Sequence, residues 1–420
     1  MRKPRMLLIT HSFPYGETEK TFLAPEVKYL EQYFKLSIVS RNLDAEQTTL
    51  LEKDTKIYRY NPKEGYHPFQ LVFKSLLARD FWKECIYLLK RRKFDSFCFK
   101  QALSIYMRTI HFSRYLKRVI ANDNNEPMVF YTYWNGYETY ACAKIKKKED
   151  IVITRTHGGD LYLKMDNHNY QPYKDVMNRD INRIYFISQD GMSYYKKTFN
   201  RLGDSQYALA RLGTFSHGFR NVLDTKDGVI RIFTLSRLFW VKRIDKLIKT
   251  LSEIDDLRIE WTHIGDGELH DEICAKAKEM LDGKSNISYK FLGNLNNAEV
   301  FEFLKDNPMD FIVNTSYSEG LPVSIIEAMS CGIPALAVNV GGIPEIVHDS
   351  QTGYLINRDF TSEEFRSVLV GYSLLNEQGK QTLRNNAFIV WNEKFNAENN
   401  HPIFAKDVIS LIGAQYEKSK

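Results

Sequence analysis

The stretch Ser318-Glu319-Gly320-Leu321-Pro322-Val323-Ser324-Ile325-Ile326-Glu327-Ala328-Met329 decides the fold. The apolar run at 311–313 reads as a buried strand, a polar turn follows, and Ile325, Ile326 and Met329 begin a helical stripe. Gly320 and Pro322 let the backbone of the turn approach a ligand closely. The N-terminus of the helix presents unpaired N–H groups and a positive dipole end, which suits an anion. Glu319 stands before the helix and Glu327 inside it. Two carboxylates there would repel a bare phosphate, yet they accept strong hydrogen bonds from hydroxyl groups. One ligand that carries both phosphates and polyols is a nucleotide sugar.

Outward from this stretch the alternation of strand and helix continues. Residues 230–235, 259–264 and 334–338 are further strand candidates, and Leu247, Leu251 and Ile254 form a helical stripe between the first two. In the first half, the run at 6–9, the stripe Leu23, Val27, Leu30 and the run at 36–39 make a strand–helix–strand unit. Such a unit predicts a parallel sheet. Runs at 128–131, 151–153 and 184–187 extend it. Residues 42–127 resist this reading. Helices are expected there through to Arg118, with Lys90-Arg91-Arg92-Lys93 set among aromatic residues and a turn at Asn122-Asp123-Asn124-Asn125. A boundary is expected near 213–218, where two glycines occur. The expectation is an α/β chain of two Rossmann-like, doubly wound domains, 1–214 and 215–396. A helix at 403–412 falls in a final segment, 397–420. Ligands bind such sheets at the carboxyl ends of the strands.

Composition narrows the class. A length of 420 residues allows two or three domains, and 43% hydrophobic with 13% aromatic residues excludes disorder. Five scattered cysteines without a CxxC pair indicate neither a disulfide framework nor a zinc site. No run of about 18 apolar residues predicts a membrane span, and the run at 6–9 is too short for a secretory leader. A cytoplasmic protein is expected. The charge is uneven: 36 Lys and Arg against 23 Asp and Glu in residues 1–215, and 22 against 29 in residues 216–420. The first half should therefore meet something acidic: an anionic membrane surface, a phosphate-bearing acceptor or a nucleic acid. No nucleic-acid module is recognisable, so nucleic acid is not expected as a partner.

The stretch SEGLPVSIIEAMSCGIPALAVNVGGIPEIV, residues 318–347, resembles the signature of the family 4 retaining glycosyltransferases, whose Glu-x7-Glu motif would be Glu319 and Glu327. The resemblance implies the GT-B fold, with two domains facing a cleft and a final helix that crosses back to the first. It implies that Glu319 holds the hydroxyls of the donor sugar and Glu327 the ribose. Gly320, Leu321, Pro322 and Val323 would face sugar and diphosphate. Ser236-Arg237-Leu238-Phe239-Trp240-Val241-Lys242-Arg243 looks like a second family motif, in which Arg237 and Lys242 neutralise the leaving diphosphate. Ser236 and Arg243 stand where the family more often has glycine. Gly265, in His263-Ile264-Gly265-Asp266-Gly267-Glu268, would lie near the nucleotide, and Leu292 beside the base.

In the first half, Arg155-Thr156-His157-Gly158-Gly159-Asp160 looks like the family's His-Gly-x-Asp segment. The resemblance puts His157 at the reaction centre; Asp160 is either a site residue or a helix cap. Gly16 stands where the family often has a glycine pair beside the diphosphate, and Glu17, Glu19 and Lys20 either touch the acceptor or are plain surface. The implied activity is transfer of a hexose-type sugar, from a nucleotide-diphosphate donor (UDP- as the family's commonest base), to a glycan or lipid-linked acceptor. Anomeric configuration would be retained by a front-face displacement, without metal or other cofactor. The motif's wording resembles that of bacterial surface-polysaccharide transferases. The basic half could dock the enzyme peripherally on the inner membrane face. The competing reading is a non-catalytic, membrane- or polyanion-binding protein on the same scaffold.

Overall fold

The computed structural model describes residues 3–43, 45–121, 126–163, 168–199, 203–222 and 227–419; the turn expected at 122–125 lies outside them. The chain forms two compact units, Met1–Arg211 with His401–Lys420, and Leu212–Asn400.

The first unit is built on seven parallel strands: β1 (Arg5–Thr10), β2 (Lys35–Ser40), β3 (Lys56–Arg59), β4 (Met128–Thr132), β5 (Ile151–Thr156), β6 (Arg183–Phe186) and β7 (Tyr207–Leu209). Their order is β3-β2-β1-β4-β5-β6-β7, so the winding reverses between β1 and β4. The central strands β4 and β5 are buried at every residue, as a parallel sheet covered on both faces requires. The second unit holds β8 (Val229–Leu235), β9 (Arg258–Ile264), β10 (Ile287–Phe291), β11 (Phe311–Asn314), β12 (Ala335–Val338) and β13 (Gly353–Ile356). Their order is β10-β9-β8-β11-β12-β13, all parallel, with the reversal between β8 and β11. This is the doubly wound arrangement, and the carboxyl ends of strands at such a reversal are where ligands bind.

Four strands had no clear sequence signal: β3, β7, β10 and β13. Each is the outer strand of its sheet. The central strands β4 and β5 are buried throughout, whereas β3 and β7 have no buried residue and β10 buries only Ile287. Residues 42–127 contain the helices Pro68–Leu76, Arg79–Lys90 and Ser96–Ile120.

The last helix, Ala397–Ser419, runs through Pro402, and from His401 onward it belongs to the first unit. Phe404, Ala405 and Val408 share a core with Leu23, Val27 and Leu30 of helix Lys20–Tyr33. Asp407 accepts two hydrogen bonds from Arg183, at 2.8 and 2.7 Å, and one from the Tyr185 hydroxyl at 2.6 Å. Beneath them lies a wholly buried ion pair, Arg155 with Glu26. Glu26 also accepts from the Tyr131 hydroxyl at 2.7 Å. His401 stands 3.6 Å from Glu26, and burial, reinforced by the Arg155 charge, pushes its imidazole down to about 3, so it is neutral.

Candidate functional site

In the second unit three loops meet at the carboxyl ends of β8, β9 and β10. Ser236 N–H donates to the Ile264 carbonyl at 3.0 Å, Leu238 N–H to Asp266 at 3.0 Å, and Gly265 N–H to Gly293 at 2.8 Å. Gly265 has φ +130°, and a Cβ there would stand 2.0 Å from the Ser236 carbonyl oxygen. Only glycine lets these loops close. Leu292 joins through its backbone, its N–H donating to the His263 carbonyl at 2.9 Å.

Beyond β8 the chain makes a short turn, Trp240–Lys242, and Arg243 then takes φ 51°, ψ 41°. That left-handed conformation is the one glycine adopts most readily, which accounts for the glycine expected there. In this chain the arginine side chain compensates. Its Nε donates to the Thr315 carbonyl at 2.7 Å, and its guanidinium lies 6.0 Å and 5.9 Å from the ring centres of Tyr317 and Phe360. The Thr315 hydroxyl donates to the Lys242 carbonyl at 2.8 Å, and Tyr317 N–H to the Val241 carbonyl at 2.7 Å. These bonds bring the Lys242 turn onto the loop that follows β11.

Lys242 Nζ then meets Glu319 Oε1 at 2.6 Å. The same oxygen accepts from the Ser316 hydroxyl at 2.6 Å and the Asn314 amide at 3.3 Å. The Lys242 side chain keeps 25% of its surface exposed and that of Glu319 keeps 11%, so both reach solvent from a fixed loop. Arg237 is exposed and has no hydrogen bond or ion pair with the described residues. Gly320, Leu321 and Pro322 are buried, and Pro322 precedes helix Val323–Ser330, whose N-terminus has no side-chain cap and no acidic residue in its first turn. An uncapped end leaves its first N–H groups for an anion. Gly341 backs this loop from behind: it has φ +54°, and a Cβ there would collide with the Glu319 carbonyl oxygen.

One turn into the helix, Glu327 is buried and accepts a 2.6 Å hydrogen bond from the Asn297 side chain. Burial pushes its carboxyl up to about 7, and the Asn297 bond opposes that only in part. The structure thus assembles Arg237, Lys242, Gly265, Leu292, Glu319, Gly320, Leu321, Pro322, Val323 and Glu327 along the loops of one sheet. Asn297, Ser316 and Asn314 escaped the sequence reading. Asn297 was hidden because Asn296 and Glu299 already explain that stretch as a reciprocal helix cap.

His157 and Gly16 belong to the first unit. His157 follows β5, 7% exposed, with its ring against those of Tyr133 and Trp134, whose centres lie 4.6 Å and 4.4 Å away. Neither ring nitrogen has a partner among the described residues. Burial, then the Arg155 and His11 charges, hold the imidazole well below its usual range, so it is neutral. Asp160 accepts from His157 N–H at 2.6 Å and from Asn135 N–H at 2.8 Å. It fixes the turn that carries His157 and caps no helix. Gly16 has φ +65° and its N–H donates to the Glu46 carbonyl at 3.1 Å. Glu17 and Lys20 pair with each other at the surface, at 3.0 Å. Glu19 is neither surface nor an evident acceptor contact. It is 2% exposed and accepts from the N–H groups of His11, Ser12 and Phe13 and from the Trp134 indole, so it organises the loop after β1. Among the described residues, one set of side chains has metal-binding spacing, Asp95, Cys98 and His168, in the first unit. Asp95 there caps the helix Ser96–Ile120.

Residues 218–385 match the model of the family described as Glycosyl transferases group 1. An uncharacterized glycosyltransferase of Methanocaldococcus jannaschii is 32% identical over 146 residues, 34% of this chain and 38% of that one. N-acetyl-alpha-D-glucosaminyl L-malate synthase of Bacillus anthracis is 27% identical over 211 residues, 50% of this chain and 46% of that one. The chain thus spans less than half the length of these curated relatives. The structure of Anabaena HepE in complex with UDP and glucose superposes over 97% of this chain and 100% of that one, with TM-score 0.64 and 15% identity. The fold is therefore that of the GT-B glycosyltransferases, two Rossmann-like parallel-sheet units in one chain.

Proposed function

We propose that the protein is a retaining, metal-independent glycosyltransferase. It would move a hexose-type sugar from a nucleotide-diphosphate sugar, with uridine as the expected base, to a glycan or lipid-linked acceptor in bacterial surface-polysaccharide or glycoconjugate synthesis. The observation that carries the reading is the uncapped N-terminus of helix Val323–Ser330, flanked by a lysine–carboxylate pair and followed by a buried carboxylate. The group 1 match and the UDP and glucose held by a protein of like fold support the donor class.

The chemistry follows from the groups present. Lys242 can leave Glu319 for a diphosphate, because Ser316 and Asn314 still hold the carboxylate in place. Lys242, Arg237 and the helix N–H groups then oppose the charge that develops on the departing phosphate. Glu319 and Glu327 accept from sugar and ribose hydroxyls. His157, in the first unit, is neutral and neither ring nitrogen has a partner among the described residues, so it can bond a hydroxyl without adding charge. No side chain of the site is assigned as a nucleophile, and the leaving phosphate would assist the acceptor hydroxyl on the same face.

The test is slow donor hydrolysis and binding across UDP-, GDP- and ADP-sugars with EDTA present, for wild type, Lys242→Ala and Glu327→Ala. One donor should bind and turn over without added metal, and both variants should lose this. Binding of no donor, or variants that behave as wild type, would leave the non-catalytic reading in its place.

The buried Glu327 makes a separate prediction about pH. Its folded-state pKa of about 7 exceeds its ordinary 4.5, so the folded form holds the proton more tightly. That contribution is complete below pH 4.5 and is lost as pH rises to about 7. Glu327→Gln cannot ionise, so it should raise Tm over wild type by several degrees at pH 8 and by much less at pH 4.5. Equal Tm differences at the two pH values would refute the assignment.

A further inference from the structure

Sixteen large apolar side chains are exposed among the described residues, and nine of them fall within residues 69–97. Their spacing is regular. Helix Pro68–Leu76 buries Leu71 and Ser75, and exposes Phe69, Phe73 and Leu76 by 91%, 64% and 38%. Helix Arg79–Lys90 buries Phe81, Glu84, Cys85 and Leu88, and exposes Trp82, Ile86 and Leu89 by 50%, 51% and 58%. Both exposed sets follow i, i+4, i+7. A helix that covers a core needs one apolar stripe, and each of these has a second one facing out. The Trp82 indole N–H donates to the Leu76 carbonyl at 2.7 Å, which joins the two outer stripes at the turn, where Leu77 is also exposed. Contiguous exposed apolar surface of this kind marks an interaction site.

The charge around it is one-signed. Residues 68–100 contain eight Lys and Arg against three acids. The three acids are occupied: Glu84 is buried and accepts from the Tyr170 hydroxyl, Asp80 pairs with Lys83 and Lys144, and Asp95 accepts from Cys98 N–H. The face therefore presents apolar side chains within a positive rim.

We propose that the outer face of the helices Pro68–Leu76 and Arg79–Lys90 is a docking surface for an anionic lipid bilayer. The aromatic and aliphatic side chains enter the headgroup layer, and the basic rim binds anionic headgroups. A second copy of the chain fits less well, because it would set like charge against like charge. The two helices belong to the first unit and the proposed donor loops to the second, so either assignment can fail without the other.

The experiment is cosedimentation of the full chain with vesicles of phosphatidylcholine alone or with about 30 mol% phosphatidylglycerol, at low and high salt. Two triple variants accompany wild type: Phe73→Ser with Trp82→Ser and Ile86→Ser, and Lys74→Glu with Lys90→Glu and Lys100→Glu. Wild type should bind the anionic vesicles, more weakly at high salt. Each variant should bind at least about tenfold more weakly, with Tm and donor hydrolysis unchanged. Three results would overturn the proposal: no vesicle binding by wild type, variants that bind equally well, or a wild-type dimer that the serine variant dissolves while vesicles are ignored.

Discussion

Lys242→Ala is expected to lower donor turnover about 10²- to 10³-fold while Tm stays within about 2 °C of wild type. A preorganised group that stabilises charge on a leaving phosphate acts mainly in the transition state, so kcat should fall more than KM changes. The loop should survive, since Glu319 keeps Ser316 and Asn314 as donors. Lys242→Arg should restore only part of the rate, because a planar fork cannot occupy the place of a compact ammonium. Single-turnover measurement of nucleotide release settles it. A loss under about threefold would mean that Lys242 only anchors Glu319.

The second large effect concerns stability. Glu26→Ala would leave the Arg155 guanidinium, wholly buried, without its counter-charge. Breaking such a pair costs about 3–5 kcal/mol, or about 10 °C in the Tm of a unit this size. The double variant Glu26→Leu, Arg155→Met should recover much of that loss, because two apolar side chains remove the buried charge altogether. Melting curves of wild type and the two variants decide the matter. A double variant no better than Glu26→Ala would show that the hydrogen bond from Tyr131 and the fit around Phe404 matter more than the charge.

The loops at the carboxyl ends of β8, β9 and β11 were legible because their signals are local. A strand, a turn with Gly320 and Pro322, and a helix stripe lie within about 20 consecutive residues, and Gly265 and Gly341 mark backbone contacts that tolerate no side chain. The outer strands were not legible: β3 and β10 mix apolar with exposed polar positions, and β7 and β13 are only three and four residues long, too short to show a period. Glu19 was open between acceptor contact and surface because its partners are backbone N–H groups, which leave no trace in side-chain identity. Helices were expected before Arg118 and are present, but the outward stripes at 68–90 hid for the opposite reason. Apolar residues on two sides erase the contrast between faces, so the sequence shows an aromatic, basic stretch where the structure shows two stripes.

The crossing of the final helix has a consequence for synthesis. Phe404, Ala405 and Val408 complete the core of the first unit, yet they emerge from the ribosome after all of residues 212–400. The first unit begins to form first and is finished last. Until then Glu26 and Arg155 have no cover from the helix that carries His401 and Phe404, and one face of the first sheet stays open to water and to chaperones. A stalled or clipped chain that ends before residue 401 would carry an intact second unit beside an unfinished first one, which marks it for proteolysis.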